Sequence, residues 1–179
     1  MDSLDDAISR FENPSKDYIV GLFGSQIIPF QSTTHHWFVV QSKDTRRRIE
    51  VLGHLLPMKP PGNHSGLIYS NGDEFKGIYR IPLKYANPFI PSPTYPTMNF
   101  GIIEGGRNSL AYKISSFILR RGHEYPHIDE YIPSPGPNSN TFIEWILCQH
   151  PKSRESLILP STAHGKDYQR ERDYSFAAE

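Results

Sequence analysis

The part of the sequence best suited to chemistry is Gly136–Phe142, which reads GPNSNTF. Glycine and proline predict a rigid turn, and the apolar residues that follow predict a helix that starts near Ser139. The first N–H groups of a helix have no internal partner and lie at the positive end of its dipole, so an oxyanion at Ser139 would meet ready donors. The alternative is that Ser139 or Asn138 is an ordinary N-cap.

Two adjacent histidines, His35 and His36, stand at the start of a second suggestive segment. The residues that follow, WFVV, are aromatic and β-branched and predict a strand. Neighbouring strand residues point to opposite faces of a sheet, so we expect only one of the two histidines to face the helix. Alternation alone does not choose between them.

Two further features could suggest reactive sites, and the geometry of a helix argues against both. Residues 123–127, HEYPH, fit the H-E-x-x-H zinc signature, which works only inside a helix. Pro126 in a helix interior would cost about 3 kcal/mol, so we expect a surface turn with Tyr125 packed beneath it and no metal. Cys148 lies about 13 Å along the helix axis from Ser139, and we expect it to be a small buried hydrophobe.

Arginines form modest clusters at a predicted hairpin turn and at the end of a predicted helix. If the two clusters share one face they could bind a polyanion such as tRNA; scattered, solvated charge is the alternative. The candidates are Arg46, Arg47, Arg48, Arg120 and Arg121.

The composition sets limits on the class of protein. The 179 residues are 37% hydrophobic, with 19 basic and 19 acidic side chains. The formal net charge is therefore zero and does not indicate a nucleic-acid or membrane partner. No apolar run approaches the ~20 residues of a membrane helix. One cysteine excludes a disulfide framework. The opening MDSLDDAISRF lacks the features of a signal peptide, so we expect a cytoplasmic protein.

The first half of the chain predicts mainly strands. A helix over residues 2–12, capped by Asp2 or Ser3, precedes strand-like residues 18–30, which glycines interrupt. Strands 36–40 and 48–56 are predicted to form a hairpin around residues 42–45. Strands 66–70 and 75–81 are predicted to form another around residues 71–73, before a proline-rich connection that reaches about residue 100.

The second half predicts two amphipathic helices. One runs over residues 108–121 with Asn108 as its cap and Gly122 at its end, and the other from about Asn140 to Gln149. Strands followed by helices indicate a single α+β domain over residues 1–168, an antiparallel sheet flanked by helices, with a polar tail at 169–179.

The turn GPNSNTF and the later run LPSTAHGKDY resemble an uncharacterised domain-of-unknown-function family over about residues 30–168. That family carries a His-x-Trp strand, a Glu-Val-Ile/Leu-Gly strand, the same turn, and a Leu-Pro-x-x-Ala-x-Gly-Lys-Asp tail. The resemblance places His35 on its histidine and Glu50 on its glutamate. Asn138–Phe142 match its turn, and Lys166 and Asp167 its tail.

The order of histidine, acid and helix-start nucleophile is more distantly similar to circularly permuted papain-like domains of the NlpC/P60 type. This resemblance implies a permuted papain-like fold in which Ser139 stands where those domains have cysteine. It implies that His35 is the base and that Glu50 orients it. The neighbouring residues expected to bind substrate are Trp37, Asn138, Asn140, Lys166 and Asp167.

These resemblances imply an acyl-transfer enzyme with a serine nucleophile and no cofactor. The expected activity is an intracellular amide-bond-forming transferase, in one version dependent on aminoacyl-tRNA as in cyclodipeptide synthesis, or an amidase. The alternative is a non-catalytic ligand-binding domain on the same scaffold. A metal hydrolase that uses the histidines is the weakest candidate.

Overall fold

The chain folds as an α+β protein around one antiparallel sheet. The structure, a computed structural model, describes residues 2–26, 33–43, 45–52, 67–70, 89, 96–128 and 130–168. Its strands are β1 Tyr18–Gln26, β2 Thr34–Ser42, β3 Thr45–Leu52, β4 Leu67–Ser70 and β5 Thr97–Gly105. Its helices are α1 Leu4–Glu12, α2 Leu110–Arg121 and α3 Ser139–Gln149, with 3-10 turns at Gly122–Glu124 and Pro151–Glu155.

The strands of the sheet lie in the order β4-β3-β2-β1-β5. Each pair of neighbouring strands is antiparallel, and β2 and β3 form the predicted hairpin, with Ser42 opposite Thr45. Apolar side chains point from both faces. One face packs against α1 through a cluster with Trp37 and Val39, and the other packs against α2 and α3 through a cluster with Phe38 and Val40. Helices therefore cover both faces of the sheet.

The predicted helices are present, with one correction at a cap. Ser3 caps α1 and accepts from Asp6 N. The cap of α2 is Ser109, which accepts from Tyr112 N, rather than the predicted Asn108. Asn108 has a φ of 74° and so lies in the turn before the helix, a left-handed conformation that asparagine tolerates.

Strand β5 is an element that the sequence did not predict. The proline-rich connection was expected to reach about residue 100, and this is wrong from Thr97 onwards. Most of the β5 side chains are only half-buried, so the strand lacks the clear alternation that would reveal it. Pairing with β1 forms it instead, from Ser25 opposite Thr97 to Tyr18 opposite Gly105.

Residues 157–168, here the C-terminal strap, tie β2 to the start of α3. Thr34 N at the start of β2 donates to Thr162 O at 3.1 Å. At the start of α3, Asn140 Nδ2 donates to His164 O at 2.9 Å and Thr141 Oγ1 donates to Gly165 O at 2.7 Å. The strap thus fixes the end of the sheet against the helix.

Several sequence predictions lie outside the described residues. They are the end of the predicted strand 48–56 beyond residue 52, the turn at 71–73, the strand at 75–81 and the tail at 169–179. Within the described ranges, no helix combines the length and the apolar character needed to cross a bilayer.

Candidate active site

Three side chains from three elements meet at the start of β2. His35 Nδ1 lies 2.8 Å from Ser139 Oγ on α3, and His35 Nε2 lies 2.6 Å from Glu50 Oε2 on β3. Both distances are those of hydrogen bonds. The resemblance implied that His35 is the base for Ser139 and that Glu50 orients it, and the three side chains lie in contact in that order.

Strand alternation explains how His35 and Glu50 come to share a face. Trp37 and Val39 belong to the cluster against α1. His35 lies two residues before Trp37 on the same strand, so it points to the same side of the sheet. Val39 is the register partner of Arg48. Arg48 and Glu50 therefore also point to that side of the sheet.

His36 points to the other face, yet it too contacts the start of α3. Its Nδ1 lies 2.8 Å from Asn140 Oδ1, the residue after Ser139. The expectation that only one histidine faces the helix is therefore wrong. Because α3 begins at the end of the sheet, its first two residues lie on either side of β2 and each contacts one histidine.

Burial fixes the protonation state of His36. The ring is fully buried, and burial lowers the pKa of His36 to about 4. The charges of His35 and Lys166 also lower this pKa, whereas the hydrogen bond to Asn140 raises it. Asn140 Nδ2 donates to Thr34 O at 2.8 Å, so its Oδ1 is left to accept from His36. His36 is thus a neutral ring that donates through Nδ1–H.

Arg48 is a member of the site that sequence reasoning placed elsewhere. Its Nη2 donates to Glu50 Oε2 at 2.8 Å, and its Nε lies 2.8 Å from Glu50 Oε1. Burial raises the pKa of Glu50, but the charge of Arg48 and the contact with His35 outweigh burial, so that the pKa of Glu50 lies below its ordinary value. Glu50 is held as a carboxylate.

Tyr131 is a second residue that the sequence did not indicate. It precedes the GPNSNTF turn, and burial, together with the nearby charge of Glu50, raises its pKa to about 12. Its phenol therefore stays protonated over the whole physiological range. No periodic signal in the polar stretch around residue 131 marks its proximity to Glu50.

The residues expected to bind substrate have structural partners of their own. Asn138 is the N-cap of α3 and forms a capping box with Thr141. Its Nδ2 donates to Pro133 O and His164 O. The side chain of Asn140 is engaged by His36, Thr34 and His164, and Trp37 is fully buried. These side chains build the site and hold its shape.

Lys166 and Asp167 lie at a different feature of the strap. Lys166 Nζ donates to Pro160 O at 3.1 Å. Both residues line a cavity of about 280 Å³ together with Glu144 and Arg154. None of Ser139, His35 and Glu50 is among the residues that line it.

The predicted basic face is not formed by the arginines of β3. Arg48 is 4% exposed and paired with Glu50, and Arg46 donates to Gln41 Oε1 and Phe11 O and lies against the Phe89 ring. On the helix, Arg120 is exposed, and Arg121 is paired with Glu124 at 2.6 Å. The polyanion prediction is therefore wrong for Arg48, which is buried. Arg46 and Arg47 are half-buried and, as strand neighbours, point to opposite faces of the sheet.

The two motifs set aside on helical geometry behave differently in the structure. HEYPH begins on the 3-10 turn Gly122–Glu124 and continues into a further turn, with His123 exposed and Tyr125 buried, as predicted. Cys148 is half-buried rather than buried, and Arg154 Nη2 lies 3.0 Å from its sulfur. Over the described ranges, no group of three or more His, Cys, Asp or Glu side chains is arranged to hold a metal.

Comparison with known proteins finds a similarity over part of the chain. A family model described as a protein of unknown function (DUF3750) matches residues 96–168, from β5 to the end of the strap. The matched stretch contains Ser139, whereas His35 and Glu50 precede it. No curated protein and no solved structure matches the chain. The match supports similarity to an uncharacterised family, over a shorter stretch than residues 30–168.

Proposed function

We propose that the protein catalyses acyl transfer through an acyl-Ser139 intermediate. The observation that carries this proposal is the continuous relay from the Ser139 hydroxyl through His35 to the Glu50 carboxylate. A serine next to a histidine that a third group orients is the arrangement that activates an otherwise weak nucleophile. Relative to the serine-protease template, the ring is reversed, with Nδ1 rather than Nε2 facing the hydroxyl.

In the proposed reaction, Ser139 Oγ attacks the carbonyl carbon of an activated acyl donor as its proton passes to His35 Nδ1. The tetrahedral oxyanion forms at the positive end of the α3 dipole. The bond from the carbonyl carbon to the leaving group then breaks, a C–O or C–S bond in the transferase and a C–N bond in the amidase, and His35 returns its proton to that group. An amine acceptor then attacks the acyl ester to give an amide and free Ser139, or water attacks it to give an acid.

The chain order of His35 on a strand, Glu50 on the next strand and Ser139 at a helix start supports a permuted papain-like scaffold for this reaction. An amide-forming transferase and an amidase share every step up to the acyl-serine, so both remain versions of the proposal. Arg48 is buried, and Arg46 is half-buried with its guanidinium engaged by Gln41 and Phe11, which weakens the support for an aminoacyl-tRNA donor. For the transferase we therefore propose a small activated ester or thioester as donor.

Incubation with p-nitrophenyl acetate tests the proposal. We expect release of p-nitrophenolate and one added acetyl group on the intact chain, located at Ser139 by peptide mass spectrometry. In Ser139→Ala both signals should fall by several orders of magnitude. The free energy of unfolding should drop by only about 1 kcal/mol, because the lost contact is one hydrogen bond and Asn138 still caps the helix.

Ser115→Ala is the matched control for this substitution. Ser115 is also a buried helical serine, but among the described residues its hydroxyl has no hydrogen-bond partner. That variant should acetylate like the unmodified chain. Equal acetylation of the Ser139→Ala variant would remove Ser139 from the mechanism.

A non-catalytic ligand-binding domain is the second candidate, and the burial of the relay favours it. Ser139 is 3% exposed and the His35 side chain 12% exposed. If the relay is only structural, the chain takes up no acetyl group at Ser139, and Ser139→Ala changes stability alone. Acetylation at Ser139 would decide for the enzyme.

A further inference from the structure

Arg48 and Trp37 close a ring of contacts around the proposed relay. The Arg48 guanidinium lies over the Trp37 indole at 4.2 Å, and the Trp37 ring is stacked on His35 with 5.9 Å between centroids. Arg48 and His35 both contact the same oxygen of Glu50. The indole face and the carboxylate thus fix the orientation of the imidazole, and Arg48 touches both of them.

The tautomer of His35 depends on the ionisation of Glu50. A carboxylate accepts from Nε2–H, which leaves the lone pair of Nδ1 facing the Ser139 hydroxyl. A protonated Glu50 would instead donate to Nε2, and the neutral ring would then carry its proton on Nδ1, where it cannot accept one from serine. Only the first tautomer can act as the base.

Burial alone works against the tautomer that the reaction needs. The Glu50 side chain is 2% exposed, and burial favours its neutral form. The group that opposes burial most strongly is Arg48, whose own side chain is 5% exposed and cannot exchange its partner for bulk water. A buried carboxylate beside a buried guanidinium remains charged because each compensates the other.

We infer that Arg48 is a positioning residue: it keeps Glu50 ionised and so holds His35 in the tautomer that can accept the Ser139 proton. This inference rests on the proposed function for its catalytic consequence. Among the side chains that the structure describes, the charged and titratable groups around Glu50 are His35 from β2, Arg48 from β3 and Tyr131 from the turn before α3. His36 and Lys166 add positive charge on the helix-facing side when protonated.

The test compares Arg48→Gln with Arg48→Lys, with Arg46→Gln as the control. Arg46 lies on the same strand and face as Arg48 and also stacks on aromatic rings, Phe11 and Phe89, but contacts neither His35 nor Glu50 in the described hydrogen bonds. Each variant is examined by long-range ¹H–¹⁵N NMR of the histidine rings, assigned with a His35→Asn variant. Acetylation by p-nitrophenyl acetate is followed across pH in parallel.

We expect the Nε2–H tautomer of His35 in the unmodified chain and in Arg46→Gln. Arg48→Gln should convert His35 to the Nδ1–H tautomer near pH 7 and slow acetylation at least about tenfold, with recovery at higher pH as Glu50 ionises. Arg48→Lys keeps the charge, so it should keep the tautomer and restore much of the rate. A folded Arg48→Gln protein with an unchanged His35 tautomer would overturn the inference.

Two further outcomes are distinguishable from that one. If the unmodified chain is not acetylated, the proposed function fails, and the tautomer measurement still decides the role of Arg48. If Arg48→Gln does not fold, ¹³C NMR of the unmodified chain decides instead. The Glu50 carboxylate must stay ionised at pH values below those at which a glutamate ordinarily takes up its proton. Protonation of Glu50 at a higher pH than that would refute the inference.

Discussion

Among the described residues, two buried glutamates are each paired with an arginine, and they lie in different regions. Glu50 on β3 is paired with Arg48, with both side chains 5% exposed or less. Glu144 on α3 is paired with Arg154 through contacts of 2.7 and 3.1 Å, but the Arg154 side chain is 37% exposed. In both pairs the buried partner is a carboxylate that would be costly to leave alone.

The two pairs differ in what lies beyond the carboxylate. Besides Arg48, Glu50 Oε2 contacts His35, and the other nitrogen of that ring contacts the Ser139 hydroxyl. In the described contacts of Glu144, its Oε1 lies 3.8 Å from the Cys148 thiol, and Arg154 Nη2 lies against the same sulfur. A buried carboxylate–guanidinium pair is therefore not by itself a sign of chemistry, and the imidazole and hydroxyl distinguish the two regions.

The largest predicted difference between the regions is in activity. Glu50→Gln should lower the rate of acetylation by about 10⁴-fold, because an amide in place of the orienting carboxylate stabilises the wrong tautomer of the base. Glu144→Gln is the matched change in the other pair and should leave the rate within about twofold. The rates are measured with p-nitrophenyl acetate under saturating conditions.

Stability should separate the same two variants in the same order. Glu50→Gln removes the buried negative charge opposite the Arg48 guanidinium, and breaking a buried ion pair costs about 3–5 kcal/mol of unfolding free energy. In Glu144→Gln, the half-exposed Arg154 can be hydrated, so the loss should be smaller. Equal losses of activity in the two variants would show that burial of the pair, not the relay, explains the effect.

The sequence predicted the three residues of the relay, but not Arg48, which contacts Glu50 and Trp37 beside it. Ser139 and His35 stand in short runs of unusual composition, and the motif resemblance added Glu50. Arg48 was grouped with Arg46 and Arg47 as a candidate polyanion-binding cluster, with scattered, solvated charge as the alternative, and both interpretations place it at the surface. Alternation along β3 instead places Arg48 on the Trp37 face, and only the tertiary fold shows which face is buried at that point.

Contacts between segments that a turn of the chain brings together could not be predicted from the sequence. Glu144 and Arg154 meet because the 3-10 turn Pro151–Glu155 brings the chain back against α3, and no local pattern indicates that pairing. Strand β5 was missed for a related reason, since its neighbour β1 lies more than 70 residues earlier. Both features result from packing that overrides local propensity.

Acid should destabilise the region around the first pair through His36. Its pKa is about 4 in the folded chain and near 6.5 when unfolded, so between these values the unfolded chain binds more protons. The contribution of His36 is complete above pH 6.5 and is lost as the pH falls to 4, an effect of about 3 kcal/mol. Glu50, with a lowered pKa, contributes above its ordinary value and loses that contribution at still lower pH.

Urea unfolding at a series of pH values measures this dependence. Replacement by a non-titrating residue in His36→Gln should flatten the curve between pH 4 and 6.5, whatever the absolute loss of stability. His123→Gln is the control, because His123 is exposed on its 3-10 turn and should leave the slope unchanged. A full slope in the His36→Gln variant would place the acid sensitivity elsewhere in the molecule.

The smallest predicted effect concerns the thiol of the second pair. Cys148→Ala removes a half-buried sulfur but leaves Glu144 and Arg154 paired through both of their nitrogen–oxygen contacts. We expect the free energy of unfolding in urea to change by no more than about 1 kcal/mol. Acetylation at Ser139 should be unchanged, because Cys148 lies about 13 Å further along α3. A tenfold loss of acetylation in a stable Cys148→Ala protein would mean that the second pair is coupled to the relay through α3, and the division between a catalytic and a structural pair would then fail.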